Sequence, residues 1–341
     1  MAARPYTAVV TLGHLSTGIS VVMPCLNDWH SSQRVLEELA DLSSDDGPVN
    51  VFVVDDGSTE SMPPGFGSGL GTHVKVTIVR LESNLGHQRA LCVGLIEAIH
   101  ADSFPLFILM DSDGEDRPAD IPRLLEALNQ GQTDAVVASR GKRHSGNAFK
   151  ALNRLFQILF RVLTGNTLNF GNFMVLTLPT AIRLANTADS WNNIPTSLMR
   201  SRVSIGRTTT DRGQRHAGDS RLGLVGLINH GLGAISVYSD VVFARILVAS
   251  LAALVGSALV SVTALITRLI SGSPLPGWFA LGTTAVALGS VVVVVLVTLL
   301  TFSTLENRRV IAPPLPHTAR QYVAARFSVP LRQVPPHVTD T

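Results

Sequence analysis

The chain has 341 residues, 46% of them hydrophobic and 15% charged, with 27 Lys+Arg against 25 Asp+Glu and a formal net charge of +2. That length suits one catalytic domain plus an appendage. Its mean hydropathy of +0.30 is high for a soluble protein, its two cysteines exclude a disulfide framework, and nucleic acid is not an expected partner.

Residues 1–18 lack the charged-then-apolar pattern of a signal peptide and read as an N-terminal extension. From residue 19 onward short β-branched runs alternate with helical patterns. Ile19–Met23, Val51–Val54, Val74–Leu81, Leu106–Met110 and Asp134–Ser139 are expected strands. Trp29–Ala40, His87–His100 and Pro118–Asn129 are expected helices, the last with proline at its start. This alternation predicts a mostly parallel sheet covered on both faces, with ligands at the carboxyl ends of the strands. No Gly-x-Gly-x-x-Gly follows the first strand, which disfavours a dinucleotide-binding oxidoreductase. Ser61–Gly71 reads as a loop, and Cys25 and Cys92 as packing residues.

Three acidic or polar clusters fall where strands should end: Pro24 to Asp28, Asp55-Asp56-Gly57-Ser58, and Asp111-Ser112-Asp113-Gly114-Glu115-Asp116. Carboxylates converging on one crevice need a cation or a hydrogen-bonding ligand. Asp-x-Asp offers hard oxygen ligands for Mg²⁺ or Mn²⁺, which such sites hold together with substrate phosphates. A solvated acidic turn is the plain alternative for any one cluster.

Charge is distributed unevenly. Residues 1–139 hold 7 Lys/Arg and 19 Asp/Glu, whereas residues 140–221 hold 13 Lys/Arg and 3 Asp/Glu. The basic stretch leads towards apolar sequence, where it can face anionic headgroups and anionic substrate groups. Within it, Phe149, Leu152, Phe156, Leu159, Phe160 and Leu163 recur at helical spacing among Lys150, Arg154 and Arg161. Such a stripe suits either a helix in the membrane interface or an amphipathic core helix. Arg221 to Ile235 is a second interfacial candidate.

Ile246–Thr267 and Gly277–Leu305 carry no charged residue, and about 20 predominantly apolar residues suffice to cross a bilayer core. Both runs are expected to be transmembrane helices joined by a short turn. The tail beyond them carries Arg308, Arg309, Arg320, Arg326 and Arg332 against Arg268 in the turn. The positive-inside rule then puts the tail and the N-terminal domain in the cytosol. The expected organisation is an extension at 1–18, a catalytic domain at 19–220, a juxtamembrane helix and linker at 221–240, a two-helix anchor at 241–305 and a basic tail at 306–341.

Taken in this order, the clusters resemble the inverting GT-A glycosyltransferases of family 2, and within them the subgroup that transfers sugars to polyprenyl phosphates, the dolichyl-phosphate mannose synthase type. Asn84-Leu85-Gly86-His87-Gln88-Arg89-Ala90 resembles the family's Asn-x-Gly helix start, and Arg212-x-x-Arg215-His216-Ala217-Gly218-Asp219-Ser220-Arg221 its Arg-x-x-Gly-x-Ser-Lys signature. The implied fold is α/β: a GT-A, Rossmann-like nucleotide-diphospho-sugar-binding domain with interfacial amphipathic helices and two C-terminal transmembrane helices. By the resemblance Asp56 bonds the nucleotide base with Pro24 and Asn27 lining its pocket, Asp111 contacts ribose or metal, and Asp113 ligates Mg²⁺ or Mn²⁺. Arg140, Arg143, Arg212, Arg215, Ser220 and Arg221 are the implied phosphate or lipid-phosphate contacts, with Asp111, Asp113 and Arg215 the catalytic set. Two departures stand out: Gly171-Asn172-Phe173-Met174 replaces the family's Gly-Asp-Phe-Arg, and Arg221-Leu222 its lysine and aromatic.

The acceptor is read from what the rest of the chain lacks. From Ala135 to Leu305 the carboxylates are Asp189, Asp211, Asp219 and Asp240, without any glutamate. A hydroxyl acceptor needs a general base, whereas a phosphate monoester, with a second pKa of about 6, is already largely dianionic at neutral pH. The expected partners are therefore a UDP- or GDP-linked sugar, a polyprenyl phosphate and the membrane, with a homo-oligomer compatible with the sequence. Transfer to a hydroxyl-bearing lipid, with Asp189 or Asp211 as base, and a catalytically silent scaffold of the same fold are the alternatives.

Overall fold

The computed structural model describes residues 18–101, 104–140, 147–211, 213–216, 224–272, 276–309 and 319–329. Its centre is an eight-stranded sheet in the order β7-β5-β6-β4-β1-β2-β3-β8. In chain order the strands are β1 (Ile19–Cys25), β2 (Val49–Asp55), β3 (Val74–Leu81), β4 (Leu106–Leu109), β5 (Ala135–Arg140), β6 (Phe170–Thr177), β7 (Ile205–Thr210) and β8 (Val323–Val329). The helices are α1 (Trp29–Asp46), α2 (His87–His100), α3 (Ile121–Gly131), α4 (Asn147–Thr164), α5 (Leu178–Ala185), α6 (Ile194–Arg200), α7 (Leu224–Ser236), α8 (Ser239–Ser271) and α9 (Gly277–Arg309).

The expected first five strands are present, and β3 and α2 have the bounds the periodicity predicts. β1, β2, β3 and β4 are mutually parallel neighbours. The sheet is nevertheless mixed. β6 runs antiparallel between β4 and β5, and β8 runs antiparallel along β3. β6 contains the Gly171-Asn172 departure and is almost wholly buried, so its apolar run lacks the alternation that marks a half-buried strand. β8 alternates inward and outward, but it lies beyond the apolar helices, in sequence read as a basic tail.

One face of the sheet packs on α1 and α3: Val21, Met23, Val51, Val53, Ile78 and Ile108 meet Val35, Leu36, Leu39, Ile121 and Leu124 in one buried cluster. Each such side chain contributes about 1.5–3 kcal/mol on burial. The other face packs on α2 so closely that a Cβ at Gly94 would stand 2.5 Å from both Val22 and Val54. This leaves the carboxyl ends of β1, β2 and β4 side by side as the place where loops gather.

The chain forms two compact units. The first contains the sheet with α1, α2, α3, α5 and α6. The second contains α4, the end of α7, α8 and α9. α8 and α9 each have 33 residues, about 50 Å of helix, and both contain a stretch long and apolar enough to cross a membrane. Leu251, Leu259, Leu265, Leu281, Leu288 and Leu299 are among their many exposed apolar side chains. In α4, Phe160 is fully buried and meets Tyr238 edge-on at 6.1 Å, while Leu155, Ile158, Leu159 and Val162 are exposed. Of the stripe read from the sequence, Leu159 is exposed, Phe160 buried and Leu152, Phe156 and Leu163 half-buried, so the stripe has both an open and a packed side.

Candidate active site

The acidic clusters sit on three neighbouring parallel strands, β4-β1-β2. Asp55 ends β2 opposite Cys25 of β1. Asp56 follows, and its backbone N–H donates to the Cys25 carbonyl at 2.9 Å. Ser112, between the two aspartates after β4, donates its hydroxyl to the Pro24 carbonyl at 2.5 Å and so ties the β4 tip to the β1 tip. Gly57 has φ of +74°, and a Cβ there would stand 2.7 Å from the Asn84 nitrogen. Glycine is what lets the Asp55–Ser58 turn approach the loop before α2.

Both oxygens of Asp56 accept from that loop, at 2.7 Å from Leu85 N–H and 3.0 Å from Gly86 N–H. Burial raises its pKa, and these two hydrogen bonds act in the opposite direction. Asp55 is equally engaged: Oδ1 accepts from Ser58 N–H at 2.9 Å and Oδ2 from Arg80 Nε–H at 2.9 Å. Asn27, in a left-handed conformation with φ of +50°, is woven into the same turn. Its N–H donates to the Ser58 hydroxyl, its amide to Thr59, and its side-chain oxygen accepts from Glu60 N–H. The expected base-pocket residues Pro24, Asn27 and Asp56 are thus brought to one loop cluster.

Asp111 and Asp113 lie in a tight turn closed by its own carboxylates. Asp111 N–H donates to Asp116 Oδ2 at 3.0 Å, and Glu115 N–H to Asp113 Oδ1 at 2.9 Å. Over this turn lies the short stretch 213–216. Gly213 N–H reaches the Glu115 carbonyl and His216 N–H the Asp113 carbonyl, each at 3.0 Å. Arg215 places its guanidinium 3.6 Å from both Asp113 and Asp28, and His216 stands 3.1 Å from Glu38. Among the described residues no group of three or more His, Cys, Asp and Glu forms a cage for a metal ion. Two carboxylates at a strand tip fit Mg²⁺ or Mn²⁺ that shares its remaining positions with substrate phosphates. They do not fit a resident structural ion.

A buried polar relay approaches Asp111 from the other side. The Ile194 N–H at the start of α6 donates to Gln88 Oε1 at 2.9 Å, which fixes the orientation of that amide. Gln88 Nε2 then donates to Asn172 Oδ1 at 2.9 Å, leaving Asn172 Nδ2 facing His87 Nε2 at 2.9 Å and Asp111 Oδ1 at 3.5 Å. His87 Nε2 also lies 3.1 Å from Asp111. The His87 pKa is raised: desolvation opposes protonation, and Asp111, with Asp113 and Asp116 behind it, outweighs it. The side chain keeps 42% exposure, so that desolvation is incomplete. The Asn172 departure therefore has a physical reading. A carboxylate there would face Asp111, whereas the amide oxygen is taken up by Gln88 and its N–H₂ side meets the acid.

Arg140 ends β5 in register with Thr210 of β7. Arg143, Arg212, Ser220 and Arg221 lie outside the described residues. Asp189, a candidate base in the hydroxyl-acceptor alternative, sits 3.8 Å from Arg200. Sequence reasoning named Asp28 only as part of the first cluster and missed its pairing with Arg215, as well as Arg80, Glu38 and the Gln88–Asn172 link. Arg80 carries a signal, as one of two cations in the expected strand Val74–Leu81; the rest are long-range pairings without a sequence pattern.

A mixed α/β sheet bearing acidic turns at the tips of adjacent parallel strands is typical of the GT-A fold. Residues 20–185 of the chain match the model described as Glycosyl transferase family 2. It is 27% identical over 226 residues to the undecaprenyl-phosphate 4-deoxy-4-formamido-L-arabinose transferase of Edwardsiella ictaluri, covering 62% of this chain and 65% of that protein. It is also 30% identical over 126 residues to an uncharacterized protein of Methanocaldococcus jannaschii, covering 36% and 52% of the two chains. The matches thus span between about half and two thirds of these relatives' lengths. Among solved structures, glucosyl-3-phosphoglycerate synthase of Mycobacterium tuberculosis, in complex with Mn²⁺ and UDP-glucose, aligns with a TM-score of 0.47 at 17% identity, covering 70% of this chain and 85% of that one.

Proposed function

We propose that the protein is an inverting glycosyltransferase that moves a sugar from a UDP- or GDP-linked donor to a polyprenyl phosphate at the membrane surface. The observation that carries this reading is Arg215, which comes from the basic segment preceding the apolar helices and stands 3.6 Å from Asp113 of the acidic motif. A phosphate bound by that segment would meet the donor where the sugar is released. The undecaprenyl-phosphate sugar transferases among the relatives support the same substrate class.

In this reading Asp56, Pro24 and Asn27 take the nucleotide base, Asp111 the ribose, and Arg140, Arg143, Arg212, Arg215, Ser220 and Arg221 the phosphates. The lipid phosphate oxygen attacks the sugar C1 from the face opposite the nucleoside diphosphate. One C–O bond forms, the other breaks, and the configuration at C1 inverts. A phosphate dianion needs no proton removed, so cations that hold and orient it suffice. Mg²⁺ or Mn²⁺ held by Asp113 and Asp111 would neutralise charge on the departing diphosphate. Arg215 neutralises the same cluster in the absence of donor and would contact the phosphate when donor and metal are bound. The two apolar helices anchor the domain, which faces the cytosol, the compartment indicated by the arginine-rich tail.

The test is to incubate purified full-length protein with a panel of nucleotide sugars and undecaprenyl phosphate, then weigh the lipid product. The expected product is the lipid phosphate plus one sugar residue, formed only with divalent cation. Absence of any sugar-bearing lipid phosphate across UDP- and GDP-linked donors contradicts the reading.

A further inference from the structure

The chain leaves the sheet domain for α8 and α9 and then comes back. β8, which follows both apolar helices, pairs with β3 through Val76↔Val329, Ile78↔Phe327 and Arg80↔Ala325. Its two faces are both engaged. On one, Arg326 forms a two-point ion pair with Glu97 of α2, with Nη2 at 2.8 Å from Oε1 and Nε against Oε2. Glu97 is a buried carboxylate, so this pair is not a solvated surface contact. On the other, the Phe327 ring lies 5.7 Å from the Arg80 guanidinium carbon. The strand's start is held as well: Glu82 N–H donates to the Tyr322 carbonyl at 2.9 Å, and the Tyr322 ring packs on Trp191 at 5.6 Å.

Arg80 is what makes this more than edge covering. Its Nε donates to Asp55 Oδ2 at 2.9 Å, Asp55 Oδ1 holds Ser58 N–H, and the Ser58 hydroxyl holds Asn27 N–H. Direct contacts therefore run from Phe327 through Arg80 and Asp55 to the two turns read as the nucleotide-base pocket. Arg80 is 43% exposed and Asp55 only 3%. The guanidinium thus has room to swing away unless something holds it, while the acid it serves cannot follow.

We propose that β8 is part of the donor site, with Phe327 as a positioning residue that holds Arg80 against Asp55 and thereby sets the Asn27 and Ser58 turns for a nucleoside diphosphate. The proposal rests on the reading of this cluster as a nucleotide site. It also accounts for why a basic tail carries a strand: the catalytic domain is complete only after both apolar helices have been made.

The experiment measures binding of UDP and of GDP, each with Mn²⁺, to full-length protein by calorimetry, alongside Tm. Phe327→Leu keeps an apolar side chain but removes the ring, and is expected to weaken nucleotide binding roughly threefold to tenfold, the scale of a cation–π contact. Phe327→Tyr restores it. Val329→Ala, which trims the same strand in the core away from Arg80, lowers Tm and leaves nucleotide affinity within about twofold. Arg80→Met, at the other end of the contact, weakens binding on its own and makes Phe327→Leu silent. Nucleotide affinity unchanged in Phe327→Leu, or equally reduced in Phe327→Tyr and Val329→Ala, overturns the proposal. Wild-type protein that binds neither nucleotide overturns the donor-site reading itself, and this proposal with it.

Discussion

Arg215 is held by two carboxylates, Asp113 and Asp28, that reach it from the tips of different strands. Like charges gathered at one site raise the cost of ionisation, and a cation between them removes that cost. The same guanidinium is also the proposed contact for a phosphate, so its removal should act in opposite directions on two ligands. In Arg215→Ala, Mn²⁺ affinity without nucleotide should rise a fewfold, because the acidic turn loses its own counter-charge. The KM for polyprenyl phosphate should rise about tenfold to hundredfold, since a charge-assisted hydrogen bond contributes roughly 1.5–3 kcal/mol. An Mn²⁺ titration followed by spin resonance, paired with steady-state kinetics, reads both. Unchanged Mn²⁺ affinity together with unchanged KM would remove Arg215 from both roles.

Among the elements, β8 constrains how the two apolar helices can run. A sheet cannot be divided by a bilayer, because the backbone groups of β3 and β8 pair directly with each other. If α8 and α9 both span the membrane, the sheet domain and β8 lie on one side and the α8–α9 turn on the other. Cysteine labelling tests this. Cys25 and Cys92 are buried, while Ser271 and Ser328 are exposed, so Ser271→Cys should react with an impermeant reagent in intact cells and Ser328→Cys only after permeabilisation. Labelling of Ser328→Cys from outside would reverse the orientation. The same elements mark how far the sequence can be read. β1 to β5, α1 to α3 and the apolar helices were legible because each has a strong local period or an uninterrupted apolar run. β6 escaped because its apolar run is flanked by the Asn172 departure, which drew a chemical reading instead. β8 escaped because pairing with β3 joins residues about 250 positions apart along the chain, and no local pattern announces such a partner. The site followed the same rule. Its aspartates could be read from strand ends, whereas the Ile194–Gln88–Asn172 relay and the Arg215–Asp28 pair exist only once α6, β6 and the 213–216 stretch are folded against the tips.

For the molecule as a whole, the central claim is that a sugar is transferred to a phosphate oxygen of a membrane lipid, with cations doing what a general base does for a hydroxyl acceptor. The basic stretch from 140 to 221, with 13 Lys/Arg against 3 Asp/Glu, stands between the acidic tips and the apolar helices in sequence. It therefore suits an anionic nucleophile whose tail stays in lipid. The most direct measurement compares undecaprenyl phosphate with undecaprenol as acceptors for full-length protein in the same vesicles, under the donor that gives turnover, with products identified by mass. A sugar–phosphate lipid is expected from the first and no glycosylated product from the second. Efficient glycosylation of the alcohol would contradict it, because that reaction requires a base that this reading does not assign.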